Sequence, residues 1–136
     1  MIEISWKKET DNEELSYSTQ RPLMTIGRDS VNDISLDDGR VSLYHAAIIE
    51  NETGDYFIRD LGSLQGVAVN GQPHHRRLLS RGDTIDIIDY RLKIKHISKG
   101  SSGSQVFLCG IVTPGEVEIP IIDSNEKYIA KRFPLN

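Results

Sequence analysis

The sequence predicts an all-β fold: a β-sandwich of two antiparallel sheets followed by a short β-type C-terminal extension. Three observations carry this prediction. Apolar residues recur at alternate positions in short runs, and clusters of Gly, Asn and Asp punctuate those runs at even spacing. No stretch keeps the period of an amphipathic helix. Short, evenly punctuated strands of this kind fit two sheets packed face to face.

Residues 2–7 alternate apolar and polar (Ile2, Ile4, Trp6), as a half-buried strand does. The acidic turn at 9–14 ends that strand, residues 15–18 alternate again, and Pro22 breaks the run. Residues 23–26 lead into Gly27-Arg28. Asn32-Asp33 then marks a turn before a short strand at 34–36, and Asp37-Asp38-Gly39 is a further turn signal. Beyond His45, residues 46–50 form an apolar strand, 51–55 a hairpin loop and 56–61 the next strand. A tight feature at 62–66 precedes the short run 67–69. Asn70-Gly71 follows, a clear hairpin signal because both residues tolerate positive φ. Leu78-Leu79, the turn at Gly82-Asp83, and runs at 84–88 and 92–97 complete the series.

The Gly/Ser-rich residues 98–105 read as a linker, which separates a domain at 1–97 from an extension at 106–136. Within the extension, 106–112, 117–122 and 128–133 have strand character. So few strands do not hold together alone, so the extension is expected to order against something else.

Composition narrows the function. At 136 residues the chain can bury roughly two-thirds of its unfolded surface without a disulfide or metal staple. With 38% hydrophobic and 26% charged residues it reads as an ordinary soluble protein. A net charge of −4 argues against nucleic acid as the main partner. Cys109 is the single cysteine, so it has no disulfide partner within the chain, and its setting in VFLCGIV suits a small buried hydrophobe. The first residues lack the apolar core of a signal peptide and no run is long enough to span a bilayer, so the chain is expected to be cytoplasmic. No metal site is expected: His74 and His75 are adjacent, and adjacent strand residues face opposite ways. No glycine-rich nucleotide loop or nucleophile constellation is present, so neither a cofactor nor an enzymatic activity is expected.

The residues with the most chemistry lie between 25 and 46. Arg28 follows Gly27, and Ser42 precedes His45 at short spacing. A guanidinium offers a planar fork of donors and a hydroxyl adds a small neutral one. Converging, they suit a tetrahedral oxyanion such as phosphate. The alternative for Arg28 is a surface ion pair with Asp29, Asp33 or Asp37, and for Ser42 a turn-stabilising hydroxyl. The basic run at 74–77 reads as a solvated loop, or as a patch beside a peptide site.

Taken in order, Gly27-Arg28, Ser42-Leu43-Tyr44-His45, Asp60-Leu61, Ser63-x-x-Gly66 and Val69-Asn70-Gly71 make the chain resemble the forkhead-associated (FHA) domain over residues 1–97. The resemblance implies about eleven strands and loops at one end that bind phosphothreonine peptides. It implies phosphate contacts from Arg28, the Ser42 hydroxyl and the Leu43 backbone N–H. It assigns peptide contacts to Leu64 and Gln65, and loop bracing to Gly27, His45, Gly66, Asn70 and Gly71. The implied partners are a phosphothreonine-containing protein and a Ser/Thr protein kinase or its substrate, with no nucleic acid and no membrane span. The implied role is a signalling adaptor.

Three positions depart from the family pattern. Leu43 stands where an arginine or polar residue usually follows the serine, and Gln65 stands where an asparagine usually precedes the glycine. Leu64 occupies a position that is often polar. Two leucines in binding loops also fit a second reading, a degenerate module that docks a partner through Leu43, Leu64 and the C-terminal segment independently of phosphate.

Overall fold

A computed structural model describes residues 1–99 in full and, beyond them, the backbone of 116–122 and 128–134. The first part holds β1 (Ile2–Lys8), β2 (Leu15–Thr19), β3 (Leu23–Gly27), β4 (Ile34–Ser35), β5 (Ala46–Glu50) and β6 (Tyr56–Asp60). It continues with β7 (Ala68–Val69), β8 (Gln72–Pro73), β9 (Arg76–Leu78), β10 (Thr84–Ile87) and β11 (Tyr90–Ile97). β12 (Glu116–Ile122) and β13 (Tyr128–Pro134) pair antiparallel in a separate two-stranded sheet. No helix occurs among the described residues. The strand expected at 106–112, Cys109 within it, and linker residues 100–105 lie outside them.

The eleven strands form two sheets, ordered β2-β1-β11-β10-β7-β8 and β4-β3-β5-β6-β9. Alternation along each strand decides what lies between them. Ile4, Ile85, Ile87, Leu92 and Ile94 from the first sheet meet Met24, Ile26, Ile48, Tyr56 and Ile58 from the second in one buried cluster. Each such aliphatic side chain contributes roughly 1.5–3 kcal/mol relative to exposure. Leu23, Ala47, Ile49, Phe57 and Leu61 form a smaller cluster on the opposite face of β3, β5 and β6. That second face is why these three strands read as nearly continuous apolar runs.

Two local readings are corrected. The sheets are not purely antiparallel: β4 pairs parallel with β3, with Ile26 opposite Ile34 and Gly27 opposite Ser35. The loop at 28–33 carries the chain back to the start of a strand running in the same direction. Arg76 and Arg77 are not in a solvated loop either. They belong to β9, which pairs with β6, and the Arg76 guanidinium stacks 4.3 Å from the centre of the Phe57 ring. One departure involves strain: Ile88, in the two-residue β10–β11 turn, has φ 56°, a conformation β-branched residues rarely adopt.

The registers set which loops share an end of the sandwich. β3 leaves the sheet at Gly27 where β5 enters at Ala46 and β6 leaves at Asp60. The loops at 28–33, 36–45 and 61–67 therefore gather at one end. The hairpin loop at 51–55 and the Asn70-Gly71 turn lie at the other.

Candidate functional site

Gly27 begins the site because the backbone of Leu43 passes directly over it. A Cβ at position 27 would press into the Leu43 carbonyl oxygen, 2.9 Å from the Leu43 carbonyl carbon and 2.8 Å from Asn32 Nδ2. Glycine is needed for this approach of two chains. It allows the Arg28 N–H to donate to the Ser42 carbonyl at 3.0 Å and the Asp29 N–H to the Leu43 carbonyl at 3.3 Å. Asn32, buried beneath them, donates through Nδ2 to the carbonyls of Asp29 and Leu43, both at 2.8 Å. From the sequence alone Asn32 is a turn residue and nothing more. Its one signal is an Asn five residues after the glycine, and one of its two acceptors is eleven residues further along.

His45 is fully buried and joins two loops. Its Nδ1 lies 3.2 Å from the Ser42 N–H and its Nε2 lies 2.8 Å from the Gly66 carbonyl. An amide N–H can only donate, so Nδ1 is the bare nitrogen, and Nε2 carries the proton and donates it to Gly66. The imidazole is thus a cross-brace, with both ring nitrogens used structurally. The loop it holds is further fixed by the Ser63 N–H donating to Asp60 Oδ1 and the Gly66 N–H donating to Ser63 Oγ, both at 2.9 Å. Gly66 sits at φ 80°, where a side chain would be strained.

Three groups on this framework keep donors that no acceptor among the described residues takes up. Arg28 is exposed, and its Nε donates to the Val41 carbonyl at 3.1 Å, which fixes the stem, while its two terminal amino groups have no partner among the described residues. The neighbouring aspartates are engaged elsewhere or make no ion pair with it. Asp33 takes the Thr25 N–H at 2.8 Å and pairs with Arg21, and Asp29 accepts from the Val31 N–H and the Tyr44 hydroxyl. Burial, then the charge of Asp29, pushes the Tyr44 phenol up, so it stays a donor to Asp29. Ser42 Oγ accepts the Leu64 N–H at 3.3 Å, so its own proton remains to be donated. The Leu43 N–H has no acceptor among the described residues.

These donors stand on an open loop surface. A cleft of about 500 Å³ lies beside them, lined by Gln65, Gly66, Ala68, Pro73, His74 and Ile88 among others, and includes neither Arg28 nor Ser42. Leu64 is 92% exposed and Gln65 is also exposed. Asn70 and Gly71 lie elsewhere. Both have positive φ, and Asn70 ties their turn to the loop before β10 by donating to Asp83 Oδ1 and accepting from the Thr84 N–H. Its bracing therefore acts at the end of the sandwich opposite Arg28. Among the described residues no group of three or more His, Cys, Asp or Glu could hold a metal, and no helix is long and apolar enough to cross a membrane.

Comparison with known proteins finds a match to the FHA domain family model over residues 24–88. The oxoglutarate dehydrogenase inhibitor of Corynebacterium efficiens is 41% identical over 76 residues, which are 56% of this chain and 53% of that protein. The chain thus spans about half the length of that curated relative. Among solved structures, Mycobacterium tuberculosis EmbR in complex with a low-affinity phosphopeptide is 31% identical with a TM-score of 0.58, covering 74% of this chain and 26% of that one. The FhaA FHA domain, complexed with the intracellular domain of Rv3910, superposes with a TM-score of 0.62 at 23% identity. It covers 70% of this chain and all of that one, a likeness of fold alone.

Proposed function

The chain carries an FHA domain over residues 24–88, and from that premise we propose that it is a phosphothreonine-dependent protein–protein interaction module. It reads the output of a Ser/Thr protein kinase on a partner protein and works as a non-enzymatic, cytoplasmic adaptor. The binding unit is residues 1–97, joined through the linker at 98–105 to the extension at 106–136. No cofactor takes part.

One observation carries the reading. The terminal amino groups of Arg28, the Ser42 hydroxyl and the Leu43 N–H are donors left without an acceptor among the described residues, on loops that bond to one another, and no carboxylate of those residues takes up the guanidinium. Phosphothreonine brings about −1.5 to −2 charge and three acceptor oxygens. A charge-assisted hydrogen bond is worth roughly 1.5–3 kcal/mol net. Two or three of them separate phosphorylated from bare threonine by several kcal/mol, a factor of at least about a hundred in Kd. Gly27, Asn32, His45 and Gly66 hold the loops in place beforehand, which reduces the ordering entropy lost on binding. Leu64 and Gln65 flank the phosphate position and meet the peptide backbone and side chains.

The test is calorimetry of the full chain against a phosphothreonine peptide array and its unphosphorylated copy. Phosphorylation is expected to strengthen binding by at least about a hundredfold. Arg28→Ala abolishes this gain and Ser42→Ala reduces it, with melting temperatures nearly unchanged for Arg28→Ala. A partner bound equally with and without phosphate, and indifferent to both substitutions, would favour docking through Leu43 and Leu64 instead.

A further inference from the structure

Five large hydrophobic side chains are exposed among the described residues, and three of them stand around the candidate oxyanion site: Val31 at 42%, Leu43 at 47% and Leu64 at 92%. Each is attached to the site by a backbone bond. Leu64 donates its N–H to Ser42 Oγ, the Leu43 carbonyl receives Asp29 and Asn32, and the Val31 N–H is held by Asp29 Oδ1. These side chains are therefore presented on loops that are already fixed. A backbone fixed beforehand has little conformational freedom left to lose on binding, and an exposed apolar side chain releases its hydration when covered.

We propose that Leu43 and Leu64, with Val31, form an apolar rim that selects phosphothreonine segments bearing a bulky aliphatic or aromatic side chain immediately beside the phosphothreonine. This rests on the phosphothreonine reading above and adds the substrate class to it. Charge points the same way. Asp29 and Asp37 lie in the same loops with no ion pair among the described residues, whereas Asp33 and Asp38 are paired with Arg21 and with Arg40 and Lys8, so acidic flanks meet two uncompensated carboxylates and apolar ones do not. Leu43 and Leu64 offer no donor or acceptor in their side chains to compensate a polar flank for lost water.

Partial cover of each leucine corresponds to roughly five- to sixfold in Kd, so the two together give a preference of about thirtyfold. The experiment uses fluorescence anisotropy of the full chain with three labelled phosphothreonine peptides whose adjacent residues are Leu/Phe, Ser/Asn or Asp/Glu, each with an unphosphorylated copy. The unsubstituted chain is expected to favour the Leu/Phe peptide over the Ser/Asn peptide by about thirtyfold and to bind the Asp/Glu peptide more weakly still. Leu43→Ser/Leu64→Ser is expected to bind the Leu/Phe and Ser/Asn phosphopeptides equally, the ratio of the two being measured on the variant itself. Leu64→Ser alone, at a side chain with almost no contact to lose, gives an intermediate preference and guards against misfolding of the double variant. Equal binding of the first two phosphopeptides by the unsubstituted chain overturns the proposal, as does a preference that survives in the double variant. If the unphosphorylated copies bind as tightly as the phosphopeptides, the phosphothreonine reading fails and takes this inference with it.

Discussion

Replacing Gly27 by alanine adds one methyl group where the structure has no room for it. The new carbon would meet the carbonyl of Leu43 and lie 2.8 Å from Asn32 Nδ2. The Leu43 contacts are main-chain atoms, which cannot turn aside as the end of a side chain can. To relieve the overlap, the strand end at 27 and the loop at 43 must separate. Separation stretches the Arg28–Ser42, Asp29–Leu43 and Asn32–Leu43 hydrogen bonds. Overpacking of this kind costs about 1–3 kcal/mol and each weakened bond roughly 0.5–1.5 kcal/mol. A total near 3 kcal/mol lowers the melting temperature of a domain this size by roughly 10–20 °C. Gly39→Ala is the matched control, since a Cβ there meets nothing within 4 Å and its φ is not positive. Calorimetric melting of the two variants makes the comparison, and phosphopeptide titration should show that only Gly27→Ala loses affinity. If Gly27→Ala melts within a degree or two of Gly39→Ala, the close approach at Gly27 does not hold the loops as described.

Asn32→Ala removes the donor shared by the Asp29 and Leu43 carbonyls and is expected to cost about 2 kcal/mol and weaken phosphopeptide binding several-fold, read by urea denaturation and titration. Glu50 is fully buried with neither carboxylate oxygen partnered among the described residues, beside the Tyr56 phenol, which burial and then the Glu50 charge push up. Glu50→Met keeps the volume and removes the polar head, so thermal melting should rise by several degrees, about 1 kcal/mol. The Arg40 side chain, then its backbone N–H, and Lys8 hold the Asp38 carboxyl well below the usual carboxylate range. A carboxyl whose folded value lies below its unfolded one stabilises the fold above the unfolded value, about 3.9, and loses that contribution as pH falls below it. Asp38→Asn should therefore lower the melting temperature at pH 7 by an amount that shrinks below about pH 4 and in high salt. A difference independent of pH would refute that assignment.

How far the sequence reveals this molecule depends on how local each cause is. The Asn70-Gly71 turn is legible because its two residues set their own backbone angles, and both have positive φ. Ile2, Ile4 and Trp6, Ile85 and Ile87, and Leu92 and Ile94 are legible as core because period two needs only neighbours. What depends on distant chain is not legible. That residues 76–78 form a strand follows from pairing with β6, some twenty residues back. The parallel pairing of β4 depends on where the loop at 28–33 returns. Nothing near Asn32 in sequence announces two carbonyl acceptors, and nothing near Ile88 announces a positive φ. At the site, Gly27, Arg28, Ser42 and His45 are legible as an ordered set of residue types. The exposed Leu64 stands out only against a polar expectation, and the far-end position of Asn70 appears only once the strands are laid in register.

The central claim is that phosphate is received where Arg28, Ser42 and Leu43 present their donors. It is tested most directly by nuclear magnetic resonance of the full chain, following backbone amides and arginine side-chain N–H signals as a phosphothreonine peptide is added. Large shifts are expected at the Arg28 guanidinium and at the amides of Ser42, Leu43 and Leu64, and none of these with the unphosphorylated peptide. Shifts confined to another surface, such as the cleft at Pro73 and Ile88, or identical with both peptides, would contradict it.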